Sequence, residues 1–458
     1  MNVDYRCCWP IAVIVLIYLA IGGLFALRTP AWQNPDEPAH YNYTRQLVRE
    51  GALPIIEPDD WVAGLVPISP DAQDVPADRM TYEDHQPPLF YALSAPLFAI
   101  TDGQLVPLRL FSLLIGALSV VCAYFSVAAI FPGHAHLAAF AAGFVALLPQ
   151  HLAMMASYNN DPLSEALLSL TVLLSVWMVV GRTALTIRNT LALAVVVGLC
   201  FLTKAQAYLA LPVALIGVFM AGRAGAADSN DAPRAWLGHV LLLLGVSALI
   251  GLPWWLRSIA VYGGADFLGL QRHNEVVVGQ PTTAEWVSQY GAAGVLSRLL
   301  QTTFQSFWGQ FGWMTIPMDR RFYLLLLAFT LISAALFLVW WLRARAAGSR
   351  MQTPSSALPD SSHLAPTLRQ SRALTLLACL ALFTLLAYVW YNLQFVQHQG
   401  RYLFPALIPI ATALALGWEF LFSRRQAVAR WLWLVVVVGL AAFDVYLLSR
   451  VVLPQMGA

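Results

Sequence analysis

Eleven stretches of this chain are apolar for about the length of a membrane-crossing helix, and that repetition constrains the fold more than any other feature. They lie at about 9–27, 105–131, 135–153, 162–181, 189–203, 207–222, 236–256, 321–342, 373–393, 401–422 and 431–449. A helix needs about 20 apolar residues to cross a hydrocarbon core of ~30 Å. Of the 458 residues 59% are hydrophobic and 11% charged, against about 25% charged in soluble domains. The expected fold is therefore an all-α polytopic membrane protein, one transmembrane domain over 1–458, with the lipid bilayer as a partner and no nucleic acid. The run at 88–100 has 13 residues, too short to span, and is expected to lie at the interface.

The arginines orient this arrangement. With the N-terminus in the cytoplasm and the first run retained as a signal anchor, Arg182, Arg188, Arg223, Arg234, Arg343, Arg345, Arg350, Arg369, Arg372, Arg424, Arg425 and Arg430 all fall in inner loops, as the positive-inside rule requires. Two long loops, 28–104 and 257–320, then face outwards. The first holds twelve of the 24 acidic residues; the second contains FQSFWGQFGW at 304–313. The inner segment 343–372, with PSSALPDSSH, reads as a linker. Of the five cysteines, Cys7, Cys8, Cys122, Cys200 and Cys379, none has metal-site spacing, and packing is their expected role.

Chemistry concentrates in the first loop. Asp36 and Glu37 stand between Pro35 and Pro38, in a segment that the prolines stiffen. Taken alone, such a tripeptide is most often a solvated turn. Here His40, Tyr41 and Tyr43 come directly after it, and Tyr82-Glu83-Asp84-His85-Gln86-Pro87-Pro88 closes the same loop. Asn160-Asp161, Lys204 (the only lysine), Arg257, His398 and Arg401 fall at helix ends on the same face. Each one alone is readily a snorkelling or interfacial anchor; acids and cations gathered on one face suit a transfer reaction. A carboxylate such as Asp36 can take a proton from an attacking hydroxyl. Lys204, Arg257 and Arg401 can hold a phosphate, and His85, Tyr82 and Tyr41 can bind sugar hydroxyls. There is no P-loop, HExxH helix or GxSxG elbow. Two adjacent carboxylates are a poor metal site, so no metal ligands and no cofactor are assigned, and a divalent cation stays open.

These landmarks resemble the GT-C glycosyltransferases. They are PDE after the first run, HQPPLFYAL at 85–93, Asn160-Asp161, FLTK at 201–204, PWWLRS at 253–258 and GRYLFPALIP at 400–409. The nearest branch is the bacterial one similar to protein O-mannosyltransferases and the lipid A aminoarabinose transferase. FQSFWGQFGW is similar to a subgroup of bacterial membrane proteins within that superfamily. The resemblance implies about eleven transmembrane helices, two extracytoplasmic loops carrying interfacial helices, and a site on the outer face of the bacterial inner membrane. It implies transfer of a sugar from a polyprenyl-phosphate donor to a hydroxyl acceptor (lipid, glycan or protein), inverting, with Asp36 as catalytic acid of the first loop and general base. Asp161 takes the second acidic position, and Lys204 lies near the lipid phosphate. Glu37 is grouped with the catalytic acids, while His40, Tyr41, Tyr82, Glu83, Asp84, His85, Asn160 and His398 are candidate substrate contacts. The loop end reads EDHQPP where relatives have Glu-Lys-Pro, which leaves open which of Glu83, Asp84 and His85 touches substrate. A soluble C-terminal domain carried by some relatives has no counterpart here, so the acceptor is unassigned. Two alternatives stand beside this reading: a polymerase or ligase of lipid-linked glycans, and a polyprenyl-lipid transporter. The transporter reading predicts charges inside helices, and only Glu419 and Asp444 stand out there in the sequence.

Overall fold

The computed structural model describes residues 9–61, 77–226, 235–350 and 366–457. Cys7 and Cys8, Arg6, Arg234, Asp71, Asp74 and residues 351–365 of the 343–372 linker lie outside the described residues.

The chain starts as an apolar helix α1 (Trp9–Arg28), then a polar helix α2 (Glu37–Glu50) and a short α3 (Leu89–Ile100). Next come α4 (Leu105–Ile130), α5 (Ala135–Leu147), α6 (Pro149–Met155), α7 (Asp161–Val179), α8 (Ile187–Phe201), α9 (Ala210–Ala226) and α10 (Ala235–Tyr262). The second long loop contributes α11 (Leu270–Val276), α12 (Thr283–Trp308) and a two-stranded hairpin, β1 (Gln310–Phe311) with β2 (Ile316–Pro317). Helices α13 (Arg320–Arg350), α14 (Leu368–Asn392), α15 (Leu407–Leu421), α16 (Gln426–Ala429) and α17 (Leu432–Leu447) complete the bundle.

Among the described residues nine helices are long and apolar enough to span, or ten if α5 and α6, bent by 64°, form one crossing. The expected eleven is not reached by length, because the run at 189–203 forms a helix of 15 residues, α8. Helix α3 has 12 residues, short of a span as its sequence requires. The core is α5, whose residues from Leu137 onward are all buried. It packs against α4, α15 and α17, while α7 packs on α4 and α9. Helices α10 and α13 bury few of their residues inside the bundle, as lipid-facing helices do.

Both long loops are more helical than their sequences suggest. Pro38 lies in the first turn of α2, where its missing N–H costs no helix hydrogen bond. Gly51, at φ 66°, closes α2 with its N–H on the Leu47 carbonyl, a left-handed cap that glycine adopts without strain. The buried face of α2 is largely polar, comprising Glu37, His40, Asn42 and Thr44 beside Ala39 and Tyr43. A helix that buries polar groups needs partners for them, and those partners build the site. Helix α12 opens with a Thr282–Glu285 capping box and kinks at Gly291.

The helix interiors hold more charge than the apolar runs suggest. Arg109 sits in the first turns of α4 and Glu165 in those of α7, both buried. A single polar residue inside a long apolar run is easily passed over when the run is read for length.

Candidate active site

The residues singled out in the sequence meet at one end of the bundle, where α1, α6, α8 and α14 end and α4, α7 and α15 begin. Asp36 is the residue before α2, in the left-handed conformation at φ 65°, ψ −6°. The prolines flank a turn that becomes a helix at Glu37. In this conformation Asp36 and Glu37 diverge completely.

Asp36 faces two donors. Its Oδ1 accepts from the Tyr82 hydroxyl at 2.8 Å, and its Oδ2 from Arg401 Nη2 at 2.6 Å. Burial alone would raise its pKa. The charges of Arg401 and His40 and the hydrogen bonds from Arg401 and Tyr82 outweigh burial and hold the carboxyl at about 2. Asp161, first residue of α7, pairs with Lys204 just after α8. Its backbone N–H donates to the Asn159 side-chain oxygen at 2.8 Å. Asn160 ties three segments together, donating to the Gln86 side-chain oxygen at 3.2 Å and the Thr203 carbonyl at 3.3 Å. His40, its Nδ1 2.8 Å from the Tyr91 hydroxyl, feels the charges of Glu83, Lys204, Asp36 and Asp161. Burial is the larger influence and lowers its pKa. Asp36, His40, Tyr82, Glu83, Asp161, Lys204 and Arg401 thus form one electrostatic centre with two acid–cation pairs.

Glu37 belongs to a different arrangement. It is fully buried and takes Arg109 Nε at 2.7 Å and Nη2 at 2.6 Å, one on each carboxylate oxygen. The backbone N–H groups of Tyr158 and Trp32 add bonds at 3.1 and 3.2 Å. Arg109 also donates to the carbonyls of Ala26, Thr29 and Pro30. With both oxygens occupied, Glu37 anchors the turn that carries Asp36 rather than facing the centre beside it. Nothing in the PDE motif separates the two acids; the signal is Arg109, alone in its apolar run.

The other candidates divide between the centre and its walls. Tyr41 donates to the Gly103 carbonyl at 2.9 Å and packs against Trp32 and Phe98, bracing α2 from outside. His398 packs edge-on to Trp286 of α12, and burial lowers its pKa. Arg257 donates to the carbonyls of Leu53 and Pro54 and lies over the Trp254 ring, so it anchors the segment after α2 and is not in either of the acid–cation pairs. Glu83 accepts from Gln86 at 2.7 Å. His85 packs against His273 with the rings tilted by 48° and their centroids 4.4 Å apart, and burial together with the His273 charge pushes its pKa well down.

Two strained segments brace one wall. Trp32, at φ 68°, accepts on its carbonyl a bond of 3.0 Å from the indole of Trp313, itself at φ 53° in the β1–β2 turn. Left-handed backbone at bulky residues costs energy and gathers at functional sites. Among the described residues no three His, Cys, Asp or Glu side chains group as a metal site.

Asp84 gives a pH prediction. It is buried, with Oδ1 unpartnered, and burial, then the nearby Asp60 and Glu83, raise its pKa to about 9. The unfolded carboxyl titrates near ~3.9, so the folded state holds the proton more tightly. Its contribution favours folding at low pH and is withdrawn as pH rises from about 4 to about 9. Asp84→Asn, which stays neutral, is expected to flatten that part of the curve and to exceed the parent in stability near pH 9. Melting in detergent across pH checks this; parallel curves for the two proteins would refute it.

The chain matches the family model described as "Predicted membrane protein (DUF2142)" over residues 69–410. No curated protein matches it. Among solved structures it is similar to ArnT from Cupriavidus metallidurans in the apo state, at a TM-score of 0.50 and 14% identity, covering 97% of this chain and 73% of that one. The crystal structure of the same ArnT bound to undecaprenyl phosphate aligns at a TM-score of 0.49 and 13% identity, covering 98% and 73%. The likeness to apo ArnT extends along nearly the whole chain and is one of fold, in keeping with the GT-C resemblance of the sequence. Because the family model spans most of the 458 residues, the protein belongs to the DUF2142 family of predicted membrane proteins.

Proposed function

We propose that this protein is a membrane glycosyltransferase that moves a sugar from a polyprenyl-phosphate donor to an acceptor hydroxyl. The observation that carries this reading is the pairing of two acids with two cations, Asp36 with Arg401 and Asp161 with Lys204, at the membrane end of an ArnT-like fold. The Arg distribution supports placing this end on the extracytoplasmic face of a bacterial inner membrane.

In the pairs as they stand Asp36 is a poor base, because Arg401 and Tyr82 stabilise its charge. A donor phosphate competes for the same cations. Arg401 offers it a planar fork and Lys204 a point charge. As the cations turn to the phosphate, Asp36 loses its principal counter-charge and its basicity rises. The acceptor oxygen then attacks the anomeric carbon as the bond from that carbon to the phosphate oxygen breaks. Asp36 takes the hydroxyl proton, and the polyprenyl phosphate leaves with its charge held by Arg401 and Lys204. One displacement inverts the anomeric centre. Asp161, freed from Lys204, is placed to bind the transferred sugar, with His40 and Glu83 nearby.

The direct test offers the purified protein radiolabelled polyprenyl-phosphate sugars and monitors release of polyprenyl phosphate. Consumption of one of them supports the reading; inertness towards every donor in the presence of cell-envelope acceptors would refute it. Lys204→Ala removes one of the two phosphate cations. Donor KM is expected to rise about tenfold or more, the scale of one charge-assisted contact, with the protein still folded in the membrane. Unchanged donor KM would leave Lys204 as an interfacial anchor.

A further inference from the structure

At the opposite end of the bundle a second cleft of about 340 Å³ opens between the start of α1, the α4–α5 turn, the end of α15 and the α16–α17 segment. That volume is in the range of small-molecule sites. Trp9 and Trp433 form one wall, edge to face at 5.3 Å; Trp433 is buried while Trp9 is 50% exposed. His136 Nε2 lies 3.0 Å from Glu419 Oε2, so the carboxylate lining the cleft is already engaged. Arg430 also lines the cleft, and its guanidinium has no hydrogen bond or ion pair among the described residues. His134 and Gln426 complete the polar lining.

Glu419 is hydrogen-bonded to His136, whereas Arg430 in the cleft and Arg424 and Arg425 on the adjoining turn have no acidic partner among the described residues, so cations outnumber acids around this opening. The amino ends of α1, α5 and α17 meet the carboxyl ends of α4 and α15 here, so the helix dipoles partly cancel and the arginines carry the attraction for an anion. We propose that the cleft binds the phosphate headgroup of an anionic phospholipid, with Arg430 as its main contact. A lipid is favoured over a soluble anion by position. The cleft sits where spanning helices reach the membrane surface, beside the half-exposed Trp9 and the exposed Trp431, the aromatic pattern of an interface. Arg424 and Arg425 on the adjoining turn are exposed and add the basic surroundings that draw anionic lipids. The inference does not depend on the transferase reading.

Native mass spectrometry of the full chain in detergent, equilibrated with equal amounts of phosphatidylglycerol and phosphatidylcholine, tests it. The protein is expected to retain phosphatidylglycerol in preference. Arg430→Ala should lower that retention about tenfold, the scale of one lost charge-assisted phosphate contact. Arg430→Lys should recover part of it, and Arg424→Ala, outside the cleft, should lower it by less than Arg430→Ala does. Equal retention of the two lipids, or full retention by Arg430→Ala, would overturn the proposal. Displacement of bound phosphatidylglycerol by equimolar inorganic phosphate would overturn the lipid and assign the cleft to a soluble anion.

Discussion

Asp36→Asn is expected to abolish sugar transfer while leaving the protein folded and able to bind donor. The amide keeps the size of the side chain and can still accept from Tyr82, but it cannot take a proton from the acceptor. General bases typically contribute 10²- to 10⁴-fold, which sets the expected loss in kcat. Donor binding should survive because Arg401, freed from its carboxylate partner at 2.6 Å, remains available to the phosphate. Single-turnover transfer with labelled donor, alongside equilibrium donor binding, separates the two effects. A variant that binds donor and transfers at close to the parental rate would remove Asp36 from the mechanism and point to Asp161 or Glu83. A variant that loses donor binding as well would mean that the Asp36–Arg401 pair orders the site rather than supplying a base.

Arg109→Ala is expected to be the most destabilising single change at this end of the molecule. It strands the fully buried Glu37 without a counter-ion and leaves the carbonyls of Ala26, Thr29 and Pro30 without their donor. Removing one partner of a buried ion pair costs about 3–5 kcal/mol, comparable with a large part of the total stability of many domains. The measurement is the thermal midpoint in detergent, together with yield from membranes. The double replacement Arg109→Met with Glu37→Leu should recover much of the loss, since a buried pair exchanged for apolar groups of similar volume is often neutral. It should not restore activity, because the carbonyls that set the Asp36 turn remain unheld. A single Arg109→Ala variant with the parental midpoint would show that the pair is dispensable to folding.

How the site works depends on which acid faces which cation, and there sequence and tertiary structure divide the information. The apolar runs determine the fold class by themselves, because hydrocarbon admits only segments that satisfy their own backbone hydrogen bonds. The landmarks at Asp36, Asp161, Lys204 and Arg401 are legible for a related reason. Polar residues at the ends of apolar runs share a surface once the helices stand side by side, so topology alone gathers them at one end.

The sequence leaves open the pairing inside that surface. Asp36 and Glu37 are adjacent acids between prolines, equivalent on paper. Their fates separate because Asp36 takes a left-handed turn and Glu37 begins a helix, with Arg109 reaching it from 72 positions along the chain. Arg257 looks as apt for phosphate as Arg401 until the fold sets it over Trp254 and against the Leu53 and Pro54 carbonyls. Helix α8 reads as a span, yet it stops at Phe201, and the Asn160 bond to the Thr203 carbonyl ties the residues beyond it to α7. Apolar patterning is local and survives in one dimension. The partner of a buried charge is chosen by close packing and by desolvation, which exist only when distant segments are already in contact.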